Sequence, residues 1–218
     1  MTDKPKRLTQ EQVWNAISKK WQTFRNQTPL EVQEFLKSKK GKILDLGCGS
    51  GRNFVKQNNL EIYGTDFSEK MLKFAKDNAK KKKISVKLIK SKCSELAFQD
   101  NFFDCAIFIS TLHCIESSKE RKKAILELFR VLKQGAEVMI SVWDKEITSK
   151  LEYLKNTGVK EGYFNWKKDH IAYKRYYYFY DKAELIKDLK EVGFKIIKTQ
   201  SKIENKHTKK NIIVYCKK

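Results

Sequence analysis

The chain has 218 residues, is 40% hydrophobic and 33% charged, and carries a formal net charge of +21. That length suits one domain with a substantial core, so a single domain over 1–218 is expected. No N-terminal apolar segment and no apolar run of membrane-spanning length occurs, so secretion and membrane insertion are not expected and the expected location is cytoplasmic.

The charge points to polyanions, nucleic acid first. Only six of the 47 basic residues are Arg, however, and a lysine-rich composition alone yields the same figure. Five cysteines, Cys48, Cys93, Cys105, Cys114 and Cys216, form no C-x-x-C pair. Reduced, mostly buried thiols are expected, with neither a disulfide framework nor an intrinsic zinc site.

Residues 1–8 are polar and basic, so fraying is expected there. Thr9, with Gln12 three places on, predicts a capping box opening a helix that buries Val13, Trp14, Ile17 and Trp21 and ends near Arg25. A second helix is expected over about Pro29–Ser38, and Gly41 breaks it ahead of an apolar strand at Ile43–Leu46. The glycine stretch Gly47-Cys48-Gly49-Ser50-Gly51 should then turn into a helix, and a second strand, Ile62-Tyr63-Gly64, should end at Asp66.

Ser68 predicts the cap of a helix through Met71, Leu72 and Ala75 that runs out in Lys80–Lys83. Ser85–Lys90 alternates apolar and polar, which suits a strand near the sheet edge. Asn101–Ser110 is apolar after Asp104 and reads as a central strand. A helix over about Ser118–Lys133, stopped by Gln134-Gly135, and a strand Glu137–Trp143 complete the β-α alternation of a doubly wound sheet.

Residues 144–180 depart from that rhythm. Tyr153, Tyr163, Phe164, Trp166 and Tyr173 to Tyr180 are interleaved with Lys155, Lys160, Lys167, Lys168, Lys174 and Arg175. An insertion over the carboxyl rim of the sheet is expected, where open α/β folds place their ligands. Asp181 starts a last helix stopped by Gly193, and Phe194–Thr199 with Ile212–Cys216 should close the sheet as an antiparallel hairpin. The fold class is therefore α/β: a Rossmann-like, doubly wound, seven-stranded, mostly parallel sheet with a C-terminal antiparallel hairpin. A helical lid at about 9–38 and the aromatic, basic insertion at about 144–180 decorate it.

The glycine spacing separates two kinds of site. A dinucleotide fingerprint needs a glycine three places after Gly49, and position 52 is Arg. Asp45, just before the turn, would repel a pyrophosphate and suits a cationic or amino-bearing ligand. The glycines let a ligand approach the backbone, amides at the following helix start favour polar groups, and an acid at a strand tip can take both ribose hydroxyls. The D-x-G-x-G-x-G run, with Asp66 closing the next strand, resembles the cofactor site of class I S-adenosylmethionine-dependent methyltransferases. That resemblance implies S-adenosyl-L-methionine as cofactor. Asp45, Gly47 and Gly49 would line its methionine end, Asp66 would hold the ribose, Phe67 would flank the adenine, and Cys93 and Ser110 would complete the site. Where many such enzymes have an Asp for the adenine amine, this chain has Lys92-Cys93, so a backbone carbonyl or Glu95 must replace it.

Ser110-Thr111-Leu112-His113-Cys114 ends the fourth strand without the Asn/Asp-Pro-Pro-aromatic signature of amine methylation. His113 fits either hydrogen bonding to substrate or a structural role. The segments at 13–25, 43–54, 104–115, 139–146 and 175–185 resemble the methyltransferase family that completes methoxycarbonylmethyl-uridine at the tRNA wobble position. Cys114 replaces that family's usual second His. The resemblance implies methylation of the carboxylate of 5-carboxymethyluridine at position 34 of tRNA. Arg175 would orient that carboxylate or a phosphate, Tyr176 and Tyr177 would shape or stack on the nucleotide, His113 would position the uracil ring, and Arg25 would join them as a catalytic residue. It also implies a small zinc-binding activator subunit paired with the sheet edge near Ile84–Lys90. Other readings keep the fold: a small-molecule O-methyltransferase, an enzyme acting on rRNA or protein, or a binding subunit without turnover.

Overall fold

The computed structural model describes residues 8–146, 156–168, 171–205 and 209–218. Helix α1, Gln10–Phe24, opens with the expected capping box at Thr9 and Gln12, and α2 spans Leu30–Lys37. Strands β1, Gly41–Leu46, and β2, Leu60–Asp66, precede helix α3, Glu69–Lys82, and strand β3, Val86–Lys90. Strand β4, Phe103–Ile109, passes through a short 3-10 turn at Leu112–Cys114 into α4, Ser118–Val131, and β5, Leu132–Trp143. A hairpin of β6, Glu161–Lys168, and β7, Ile171–Tyr178, comes before α5, Lys182–Val192, and the closing strands β8, Lys195–Asn205, and β9, Lys209–Lys217.

Seven strands make one sheet in the order β3-β2-β1-β4-β5-β9-β8. The pairs from β3 to β5 are parallel, and β9 runs antiparallel to both β5 and β8. Alternate side chains of the central strands face two cores. Leu44, Ala106, Phe108 and Ile140 meet α4 and α5, while Ile43, Cys105, Ile107 and Met139 meet α2. Burial on both faces explains why these strands read as continuous apolar runs. β3 is an edge strand, as its alternation predicts, with Lys87 and Lys90 exposed.

Two expected elements are corrected. No helix follows the glycine turn: residues 47–59 run as turns straight into β2. The helix is replaced by donors from α3. Asn78 Nδ2 donates to the carbonyls of Ser50 and Gly51, at 3.3 and 2.8 Å, and Lys82 Nζ to those of Arg52 and Phe54, at 3.0 and 2.9 Å. Backbone groups that lack a helix's own amides are thereby satisfied. Gly135 does not stop α4 either. The helix ends at Val131, and Gly135, at φ +79°, lies inside β5 and donates to the Lys218 carbonyl at 2.9 Å.

The β6–β7 hairpin forms its own small sheet, and polar contacts from α1 and α4 help to hold it to the rest. The Gln10 side chain meets the backbone of β7 with both ends of its amide, donating to Lys174 O at 3.1 Å and accepting from Tyr176 N at 3.0 Å. Arg121 of α4 donates to Ile115 O and to the Tyr176 hydroxyl, both at 2.9 Å, and its guanidinium lies 3.9 Å from the Tyr178 ring centroid. Tyr153 and Lys155 of the aromatic, basic stretch lie outside the described residues, as do residues 1–7. No helix among the described residues is long and apolar enough to cross a membrane.

Candidate active site

A cavity of about 510 Å³ opens at the carboxyl ends of β1, β2 and β4, bounded by α1 and the glycine turn. That volume is within the ~300–1,000 Å³ range of small-ligand sites. Of the expected site residues, Gly47, Gly49, Asp66, Phe67, Cys93, Ser110 and Arg25 line it together. Asp45, His113, Arg175, Tyr176 and Tyr177 are not among its lining residues.

The glycines do different work. A Cβ on Gly47 would sit 2.2 Å from Thr111 Cγ2 and one on Gly51 2.4 Å from Phe54, so both serve packing as well as their positive φ. A Cβ on Gly49 meets no protein atom within 4 Å and would stand in the cavity instead. This is the position where a ligand needs bare backbone. Ser110, also lining the cavity, holds φ +54°, an uncommon conformation for a serine of the kind that gathers at functional sites.

Asp66 ties the second strand to the turn. Its Oδ2 accepts from Gly49 N and its Oδ1 from Ser68 N, both at 2.9 Å. Burial pushes its carboxyl up to about 6 against the pull of those amides. Asp45 lies under the turn, 1% exposed, with Asn53 Nδ2 at 3.5 Å from each oxygen, and burial pushes it to about 7. Two buried acids at the glycine turn suit a cationic ligand. Both acids hold protons in the folded chain over a range where the unfolded chain has lost them, so the ligand-free protein loses stability as pH rises from about 4 to about 7. A cation that needs the ionised forms binds better over the same interval. Thermal unfolding should show a larger stabilisation by cofactor at pH 8 than at pH 5.5, with affinity weaker by roughly 30- to 100-fold at the lower value. An equal shift at both would overturn the assignment of these acids to the cofactor.

His113 is 1% exposed and sits behind the cavity wall. Its Nδ1 accepts from Trp143 N at 3.3 Å, and its ring stacks 4.9 Å from Trp143, which stacks 4.2 Å from Tyr177. Arg175 is 9% exposed; its guanidinium carbon lies 4.6 Å from the Trp166 ring centroid, 5.1 Å from Tyr177 and 5.4 Å from Trp21. Its Nε has no hydrogen-bond partner among the described residues. Trp21 lines the cavity and carries the Arg25 guanidinium 5.6 Å from its ring centroid. Burial pushes the cavity-lining Cys114 thiol up to about 12, although Arg175 and Arg25 both draw it down. Tyr176 is bound to Arg121 and Glu161. Ser91 to Ser94 line the cavity, while Glu95 is exposed and absent from its lining.

Sequence reading missed Gln10, Asn78, Lys82 and Arg121. Only Arg121 carries a local signal: it is the one arginine in the run Lys119–Lys123, where a solvated position would as readily be lysine. Among the described residues no group of three or more His, Cys, Asp or Glu side chains could hold a metal ion.

The sheet order, the glycine turn and the acid at the tip of β2 define a Rossmann-like methyltransferase. The family described as a methyltransferase domain matches residues 44–140. A solved S-adenosylmethionine-dependent methyltransferase from Methanosarcina mazei is similar at a TM-score of 0.73 and 21% identity, covering 88% of this chain and 98% of that one. An uncharacterized protein of Methanocaldococcus jannaschii is 33% identical over 164 residues, 75% of this chain and 69% of its own. A tRNA (carboxymethyluridine(34)-5-O)-methyltransferase of Arabidopsis thaliana is 33% identical over 136 residues, 62% of this chain, and the match spans only 32% of that protein. The enzyme of that name from Schizosaccharomyces pombe is 24% identical over 208 residues, 85% of this chain and 88% of its own. The chain belongs to the class I S-adenosylmethionine-dependent methyltransferases, and S-adenosyl-L-methionine is its cofactor.

Proposed function

We propose that this chain methylates the carboxylate of 5-carboxymethyluridine at wobble position 34 of tRNA. The observation that carries the reading is the pairing of two guanidiniums, Arg25 at the cavity wall and the buried Arg175 behind it, with a cavity whose Cys114 thiol stays protonated at neutral pH. Such a site suits an acceptor that is already an anion. A carboxylate with an ordinary pKa of ~4 is ionised at pH 7 and needs no general base. The names of the Arabidopsis and Schizosaccharomyces relatives support the same acceptor.

Bound S-adenosyl-L-methionine supplies an electrophilic methyl carbon for in-line displacement. Gly49 leaves room for it, Asp66 accepts from its ribose hydroxyls, Phe67 and Cys93 flank the adenine, and Gly47 and Ser110 border the reacting end. Asp45 acts on it from below the turn by charge. Arg25, at the cavity wall, holds the acceptor carboxylate, and Arg175, buried behind the wall, draws it in by charge. His113 and Tyr177 act as positioning residues, stacking Trp143 against the wall, and Tyr176, through Arg121, fixes the hairpin. Helix α1 and the β6–β7 hairpin serve as the lid that excludes water, which strengthens every charge inside. A small zinc-binding partner subunit pairs with the outer edge of β3.

The test is nucleoside mass spectrometry of tRNA bearing carboxymethyluridine, incubated with labelled cofactor and the chain, alone and with that subunit. A labelled methyl ester that mild alkali removes is expected, with much the larger yield in the presence of the subunit. Label that survives alkali, or that stays out of RNA, would overturn the reading; equal yield without the subunit would remove the partner.

A further inference from the structure

We propose that α3 is the track for the phosphate backbone of the RNA whose nucleotide enters the cavity, an inference that rests on the tRNA reading above. Helix Glu69–Lys82 and its cap Lys83 hold seven lysines against Glu69 and Asp77 alone. Lys82 turns inward to the cofactor turn, and the other six, Lys70, Lys73, Lys76, Lys80, Lys81 and Lys83, are exposed. None of the six is in an ion pair among the described residues.

The other helices handle charge differently. On α4, Arg130 is bonded to Glu127 and Asp100, Lys123 reaches Glu120, and Lys122 reaches Glu191 of α5. On α5, Lys182, Lys187 and Lys190 are balanced by Glu184, Asp188 and Glu191. A composition rich in lysine would not by itself set seven lysines against two acids on one helix while α5 balances three against three and most cations of α4 are ion-paired. Lys70, Lys73, Lys76, Lys80 and Lys83 recur every three or four residues, which places about one ammonium per turn, ~5 Å apart, along one face.

Position links this comb to the site. The first turn of α3 and the residue before its cap, Met71 and Phe67, line the cavity, so the lysines start at the mouth and run ~20 Å away from it. A polyanion with one nucleotide drawn into the cavity meets the comb directly. Lysines, as strongly hydrated point charges, suit phosphates whose identity is not read.

The experiment compares K73Q/K76Q/K80Q with K182Q/K187Q/K190Q, each in the full chain with any companion subunit. A fluorescent anticodon stem-loop RNA is titrated over a series of salt concentrations, and cofactor affinity is measured by calorimetry. All six positions are exposed, so both variants should fold and bind cofactor as the wild type does. The α3 variant should bind RNA about tenfold or more weakly at near-physiological salt, and its slope of log affinity against log salt should fall by ~2–3. The α5 variant should match the wild type in both. An unchanged slope in the α3 variant, or an equal loss in the α5 variant, would overturn the track while leaving wild-type methylation of tRNA intact. A wild type that neither binds nor methylates RNA would overturn the tRNA reading and the track with it.

Discussion

Replacing Asp66 with alanine is expected to weaken S-adenosyl-L-methionine binding at least a hundredfold, the largest effect of any single change on the cofactor side. Two losses combine. The ribose hydroxyls lose a charged acceptor, worth about 1.5–3 kcal/mol for hydrogen bonds of that kind. The amides of Gly49 and Ser68, each bonded to an Asp66 oxygen at 2.9 Å, are also left without a partner, and the turn loses its hold on β2. Asp66→Asn separates the two, because its remaining carbonyl oxygen can still accept from one amide while the charge is gone. Calorimetry should rank the affinities wild type, then Asn, then Ala. A D66A protein with unaltered cofactor affinity would show that the acid serves the turn alone.

Much of this site is legible in the sequence because it is local. The glycines, Asp45 and Asp66 lie within 22 consecutive residues, and the apolar runs around them show which strands are covered on both faces. Ser68, Asp181 and Gly193 end or start their helices where short-range capping rules put them. What the sequence conceals is supplied from far along the chain. Residues 52–59 are compatible with a helix, and nothing nearby reveals that Asn78 and Lys82 will take the carbonyls of the preceding turn. His113 looks like a candidate ligand at a strand tip until Trp143, 30 residues later, is seen to donate to it and stack on it. Arg121 sits in a run of charges typical of a solvated face, yet is 6% exposed because Tyr176 and Tyr178 come to it from the hairpin.

Arg175→Met is expected to lower turnover on carboxymethyluridine tRNA by roughly 10²–10³-fold while leaving cofactor affinity unchanged. A buried cation is costly unless an opposite charge meets it, and Arg175 is held by ring faces with its Nε unpartnered among the described residues. An incoming carboxylate supplies the missing charge in a site from which water is excluded, where a preorganised donor is worth a factor of that order. Methionine keeps the bulk between Trp166 and Trp21, so the lid stays filled and the measurement reads charge rather than collapse. Arg175→Lys restores the charge without the planar fork that lies over the indoles and should recover only part of the rate. The decisive comparison is kcat from initial rates of methyl-ester formation against the calorimetric Kd for S-adenosyl-L-methionine. Equal losses in both would make Arg175 a strut of the lid, and an unaffected kcat would leave Arg25 as the cation that orients the acceptor.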